Sequence, residues 1–136
     1  MTLFYNKGKI KNIYYFFMPV EHYNLQLLFE FEKDYLFFDN QSFFEISKEN
    51  FNLKDKWVPL RYDLTEGIFI KEIKEDEFVS YFILFSNEDI LYVYQLFDGT
   101  TWNQQFCIID KTSNRYDEIN KYMNENFVDQ IKINRL

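Results

Sequence analysis

Apolar side chains recur along most of this chain at every second position, the period of a β-strand with one face buried. In Leu25–Glu32, Leu25, Leu27, Phe29 and Phe31 share one face, and Gln26, Glu30 and Glu32 share the other. Lys33-Asp34 predicts a turn into a strand over Tyr35–Asp39, and Asn40-Gln41 a turn into Phe43–Ser47. Asn6-Lys7-Gly8 predicts a short hairpin whose second arm is Ile10–Met18, and Gly67–Ile73 predicts another strand. The strongest strand signal is Phe78–Phe85. Tyr81, Ile83 and Phe85 lie on one face, and Phe78, Ser80, Phe82 and Leu84 on the other, so this strand is expected to be central and covered on both sides.

Ser86-Asn87-Glu88-Asp89 supplies a turn, after which Ile90–Phe97 returns as a strand. Asp98-Gly99-Thr100 is a second hairpin signal, because Gly readily takes the positive φ of a tight turn. Trp102–Ile109 follows, so residues 78–109 read as a three-stranded antiparallel meander. Only one segment carries a helical stripe: Ile119, Tyr122, Met123 and Phe127, with Ser113 or Asn114 as the cap and Asp117-Glu118 at the positive end of the dipole. The helix is expected to end near Asn126. Ile131 and Ile133 alternate as a last strand, and Lys48–Leu53 predicts a single helical turn. Together these elements give an α+β domain: a twisted, mainly antiparallel β-sheet of about six to eight strands with one C-terminal helix packed on a face. A closed or half-closed β-barrel is the alternative.

The chain has 136 residues, read here as a single domain over 1–136. Its 17 Phe, 11 Tyr and two Trp stand against three Gly and two Pro, which excludes disordered and collagen-like sequence. The lack of Ala and the abundance of Asn, Phe and Tyr are also what AT-rich codons produce. Whatever their origin, the rings must be buried, paired or presented to a partner.

The lone Cys107 offers no intramolecular disulfide, so a reducing compartment and an inert, buried thiol are expected. Met1–Gly8 lacks a secretory pattern, and the apolar run Tyr14–Val20 is too short to span a membrane. A soluble, cytoplasmic protein is therefore expected.

Charge is unevenly distributed. Residues 1–20 hold Lys7, Lys9 and Lys11 and no acid; residues 21–109 hold 17 acids and seven bases; residues 110–136 hold five of each. The acidity peaks at Glu72, Glu75, Asp76 and Glu77, then at Glu88 and Asp89. Such a body repels phosphate backbones, which disfavours direct binding of nucleic acid, and it steers basic partners.

Catalytic and cofactor chemistry finds little support. His22 is the only His, and no nucleophile with a local signature stands near it. His22 and Cys107 alone cannot build a zinc site, and residues 72–77 lack the alternation and central Gly of an EF-hand loop. Gly8, Gly67 and Gly99 are too dispersed for a phosphate loop. No enzyme activity, metal or cofactor is expected.

Aromatic rings remain the chain's main asset. Tyr92 and Tyr94 share a strand face, and Tyr can be half-buried while its hydroxyl engages a partner. Trp57, then Phe78-Val79-Ser80-Tyr81-Phe82-Ile83-Leu84-Phe85, the acidic turn Ser86–Asp89 and Ile90-Leu91-Tyr92-Val93-Tyr94-Gln95-Leu96-Phe97 form a pattern over residues 57–109. This pattern resembles the sheet region of immunity proteins of bacterial contact-dependent inhibition and related polymorphic toxin systems. The resemblance implies a small cytoplasmic, non-enzymatic protein that neutralises a specific toxin domain, commonly a basic nuclease, in a tight protein–protein complex. The charge reading is compatible with that expectation. The partner surface is expected at Glu72, Glu75, Asp76, Glu77, Glu88 and Asp89, with Tyr92, Tyr94 and Trp102 nearby. The rival readings are a small apolar-ligand carrier of β-barrel type, a carboxylate enzyme, and a phage-type inhibitor of a defence nuclease. A homo-oligomer is open but unsupported.

Overall fold

The computed structural model describes residues 7–19, 23–126, 131 and 133–135. Its strands are β1 (Asn12–Pro19), β2 (Tyr23–Glu30), β3 (Asp34–Asp39), β4 (Ser42–Ser47), β5 (Val58–Pro59), β6 (Ile70–Glu75), β7 (Tyr81–Phe85), β8 (Ile90–Phe97), β9 (Trp102–Ile109) and β10 (Ile133–Arg135). Among the described residues one helix, α1 (Tyr116–Asn126), precedes β10, and a single 3-10 turn, Lys48–Asn50, follows β4 with the Ser47 hydroxyl accepting from Glu49 N–H.

The fold is mainly antiparallel β with one C-terminal helix, as expected, but the strands divide into two open sheets. A six-stranded sheet runs β10-β4-β3-β2-β1-β5 and a four-stranded one β6-β7-β8-β9. The exception to antiparallel pairing is β10, which lies parallel to β4 with Ile133 opposite Phe43. The described residues form ten strands against the expected six to eight; one of them, Val58–Pro59, pairs with Tyr14–Tyr15 over two residues, too short to leave a period in the sequence.

The inner faces of the two sheets meet in one core. Leu25, Leu27 and Phe29 of β2, Leu36 and Phe38 of β3, and Phe43 of β4 pack against Ile73, Tyr81, Ile83, Phe85, Leu91 and Val93. At roughly 25 cal/mol per Å² of apolar surface, burying rings and branched chains of this size is the main force holding the sheets together. Gln104 of β9 adds a polar bridge. It is 1% exposed, its Oε1 accepts from Leu25 N–H of β2 at 2.9 Å, and its Nε2 donates to the Asn40 carbonyl. The outer face of the six-stranded sheet carries a smaller cluster in which the loop after the 3-10 turn lays Trp57 and Phe51 over Leu28, Tyr35 and Phe37. On the outer face of the four-stranded sheet, Ile119 and Met123 of α1 cover Phe82, Leu84, Ile90 and Ile109.

All five residues of β7 are buried, so the expectation of a central, doubly covered strand holds there. It fails for Phe78, Val79 and Ser80, which turn rather than extend. Val79 takes φ +60°, a strained conformation for a β-branched residue. The cause is Asp76, whose Oδ1 accepts from the N–H groups of both Phe78 (3.0 Å) and Ser80 (2.8 Å) and folds the chain around itself. The expected hairpin at Asn6-Lys7-Gly8 falls partly outside the described residues. Phe127 and His22 also lie outside them.

Candidate functional site

The four-stranded sheet is ragged at one end, and that raggedness builds the site. β8 has eight residues and β7 five, and their pairing stops at Tyr81 opposite Val93. Among the described residues, β8 is paired with β9 alone from Tyr94 to Phe97, so the β8–β9 hairpin projects past the end of β7. Its tip is held by Asp98, whose carboxylate accepts from the N–H and hydroxyl groups of Thr100 and Thr101 and from Asn103 Nδ2. The backbone N–H groups of Thr101 and Thr100 do most to hold the Asp98 carboxyl far below its ordinary range, so its negative charge is fixed.

Four large apolar side chains lie exposed at this end: Phe78 (65%), Trp102 (59%), Leu96 and Phe97. Phe97 and Trp102 face each other across the hairpin with ring centroids 5.0 Å apart. A groove of about 410 Å³ opens beside them, lined by Phe78, Ser80, Tyr92, Tyr94, Gln95 and Trp102. Its rings are continuous with the interior. Phe82, covered by α1, stacks on Tyr92 at 5.0 Å, and Tyr92 stacks on Tyr94 at 5.1 Å. The inner part of this column is thus anchored in the helix-covered cluster, and the outer part is presented to solvent.

Of the nine residues expected to form a partner surface, the structure gathers Tyr92, Tyr94 and Trp102 in this groove. The acids divide. Asp76 is 3% exposed and fully engaged: besides the two N–H groups of its own turn, its Oδ2 accepts from the Tyr122 hydroxyl of α1 at 2.7 Å. Glu72 lies 3.6 Å from Lys74 on the same strand. Glu75 stands opposite Tyr81 in the β6–β7 ladder, and Glu77, next to Phe78, is exposed. Glu88 and Asp89 sit at the other end of β7 and serve the fold there. Glu88 pairs with Lys111 at 2.8 Å, and its carbonyl accepts from the Tyr116 hydroxyl. Asp89 accepts from the Tyr62 hydroxyl, from Asn87 Nδ2 and from Lys111 N–H. Sequence reasoning passed over Phe78, Leu96 and Phe97 as partner residues. A signal was there: Leu96 and Phe97 are adjacent at a strand end, and successive strand residues face opposite ways, so both cannot enter one core.

No protein-family model matches the chain, and no curated protein or solved structure matches it either.

Among the described residues, no group of three or more His, Cys, Asp or Glu is placed to hold a metal ion. Among the described residues, no helix is long and apolar enough to cross a membrane. Cys107 is half-buried on β9, and burial pushes its thiol up, away from the reactive thiolate.

The tyrosines have a measurable consequence. Burial raises the hydroxyls of Tyr62, Tyr81 and Tyr122 well above the ordinary value of 10.0. The carboxylates of Asp89 at Tyr62, Glu75 at Tyr81 and Asp76 at Tyr122 add to the effect. Each group binds its proton more tightly folded than unfolded. The stability linked to it is therefore complete below about pH 10 and falls as pH rises through the raised folded values. Urea midpoints should hold level to about pH 9 and drop above pH 10, and Tyr62→Phe with Tyr122→Phe should flatten that drop. An unchanged alkaline slope in the double variant would contradict this assignment.

Proposed function

We propose that this protein is a binding protein that captures a specific basic protein domain, of the nuclease-toxin kind, and neutralises it by occupying its surface. The carrying observation is the cluster of Phe78, Leu96, Phe97 and Trp102, exposed together at one end of a sheet and joined to a ring-lined groove. Exposed apolar clusters with aromatic anchors mark interaction surfaces, because their burial supplies most of the binding energy of a tight complex. Acidic Glu77 and Asp98 lie next in sequence to Phe78 and Phe97, and the chain's net charge is −7, so a cationic partner is favoured in both approach and fit. The resemblance of residues 57–109 to immunity proteins points the same way. The carrier reading has less support: a carrier needs a ring-lined chamber, whereas the space between the sheets is filled by core side chains and the ring-lined groove is an open one.

The test is binding to the protein captured by immobilised wild-type chain and identified by mass spectrometry. Trp102→Ala and Phe97→Ala are each expected to weaken that complex by about tenfold or more while leaving the melting temperature of the free protein unchanged. Glu77→Lys is expected to slow association at low salt and to have little effect at high salt. An acidic partner, or a basic one indifferent to all three variants, would overturn the reading.

A further inference from the structure

We propose that the partner is held by strand addition: an extended segment of the basic domain enters the lane that β7 leaves vacant and pairs with the free edge of β8 at Tyr94–Phe97. This inference rests on the binding role above and specifies its mode. Three observations carry it.

The first is the edge itself. Past Val93, β8 is paired on one side only among the described residues, so alternate residues among Tyr94–Phe97 turn their N–H and C=O groups toward the lane beyond β7. Four residues at about 3.3 Å each give an edge of roughly 13 Å, enough for several ladder hydrogen bonds. The devices that usually blunt an edge are missing here: residues 94–97 are Tyr, Gln, Leu and Phe, with no Lys, Pro or bulge.

The second is the groove, which lies along that edge. Tyr92, Tyr94 and Gln95 of β8 line it together with Phe78 and Ser80, the residues that leave the lane. In strand addition the backbone ladder supplies affinity and pockets for alternate side chains supply selectivity, and this pairing of open edge and aromatic pocket has that form.

The third is charge. A second copy of this chain could also pair with the edge, but it would bring a net charge of −7 to a surface that already carries −7. A segment with an aromatic or long apolar residue for the groove, flanked by Lys or Arg, meets no such repulsion.

The probe is a display library of random peptides of about nine residues, selected on the full-length protein. Enriched peptides are then synthesised and titrated while backbone amide shifts are recorded. The expected peptides alternate apolar and basic positions around one aromatic residue, and their largest shifts fall on Tyr94–Phe97 and Ser80. N-methylation of the peptide backbone at positions of one parity should weaken binding by about tenfold, and at the other parity by much less, because only alternate amides enter a ladder. Three results would overturn the proposal: no enriched peptide, equal effects of the two methylation patterns, or shifts at Tyr94–Phe97 that depend on protein concentration alone, which would mean self-pairing. None of these decides the binding role, which the Trp102, Phe97 and Glu77 variants test separately on the captured protein.

Discussion

Replacing Asp76 with Ala is expected to lower the unfolding free energy by about 3–4 kcal/mol and the melting temperature by roughly 10–15 °C. The carboxylate is buried and makes three hydrogen bonds, to Phe78 N–H, Ser80 N–H and the Tyr122 hydroxyl. Truncation leaves those donors without partners, and an unsatisfied buried donor costs about 1–3 kcal/mol. It also releases the turn that holds Val79 at positive φ and removes one of the ties between α1 and the sheet. Asp76→Asn keeps the acceptor oxygen and should cost less. Tyr122→Phe removes one of the three bonds and should cost about 1 kcal/mol. Combined with Asp76→Ala it should add little, because the two changes delete the same contact. Chemical denaturation of the four proteins measures all of this, and a full additive loss in the double variant would refute the coupling. Charge reversal at Asp76 is accordingly a test of folding, which is why the binding test above uses exposed Glu77.

Gln104→Ala is expected to cost about 2–4 kcal/mol without altering the rings of the groove. The side chain joins the two sheets, and its loss leaves Leu25 N–H and the Asn40 carbonyl buried or half-buried without their partner. Gln104→Glu should be destabilising as well. It keeps the acceptor for Leu25 N–H but sets a carboxylate against the Asn40 carbonyl, and it buries a charge. Gln104→Glu should recover stability as the pH is lowered and that carboxyl takes up a proton, whereas Gln104→Ala should show no such recovery. Denaturant midpoints at about pH 4 and pH 7 separate the two.

How far the sequence spoke differs between fold and site. Ile90–Phe97 and Trp102–Ile109 are strands at the bounds their period predicts, since each is flanked by turn residues on both sides. The helical stripe of Ile119, Tyr122 and Met123 likewise forms α1. Partition into two sheets was not legible, because alternation reports which face of a strand is buried and not which strand lies beside it. At Phe78–Ser80 the apolar, β-branched run reads as strand, and one carboxylate two residues upstream overrides it. The same limit governs the site. Tyr92, Tyr94 and Trp102 were visible as rings on strands, but the split of the acids between opposite ends of β7, and the capture of Asp76 and Asp89 by the fold, are matters of tertiary placement.

The order of strands also sets a sequence of events in folding. β1 to β4 pair neighbour with neighbour over connections of a few residues, as do β6 to β9, so each half closes small loops at small entropic cost. β10 breaks that economy, since Ile133 must find Phe43, ninety positions earlier in the chain, and take its place on the edge beyond β4. Two local meanders should therefore assemble early and dock through their apolar faces, and the parallel edge strand should be added last. The projecting β8–β9 hairpin belongs wholly to the second meander, which places the surface for capture in a part of the chain that forms ahead of that final closure.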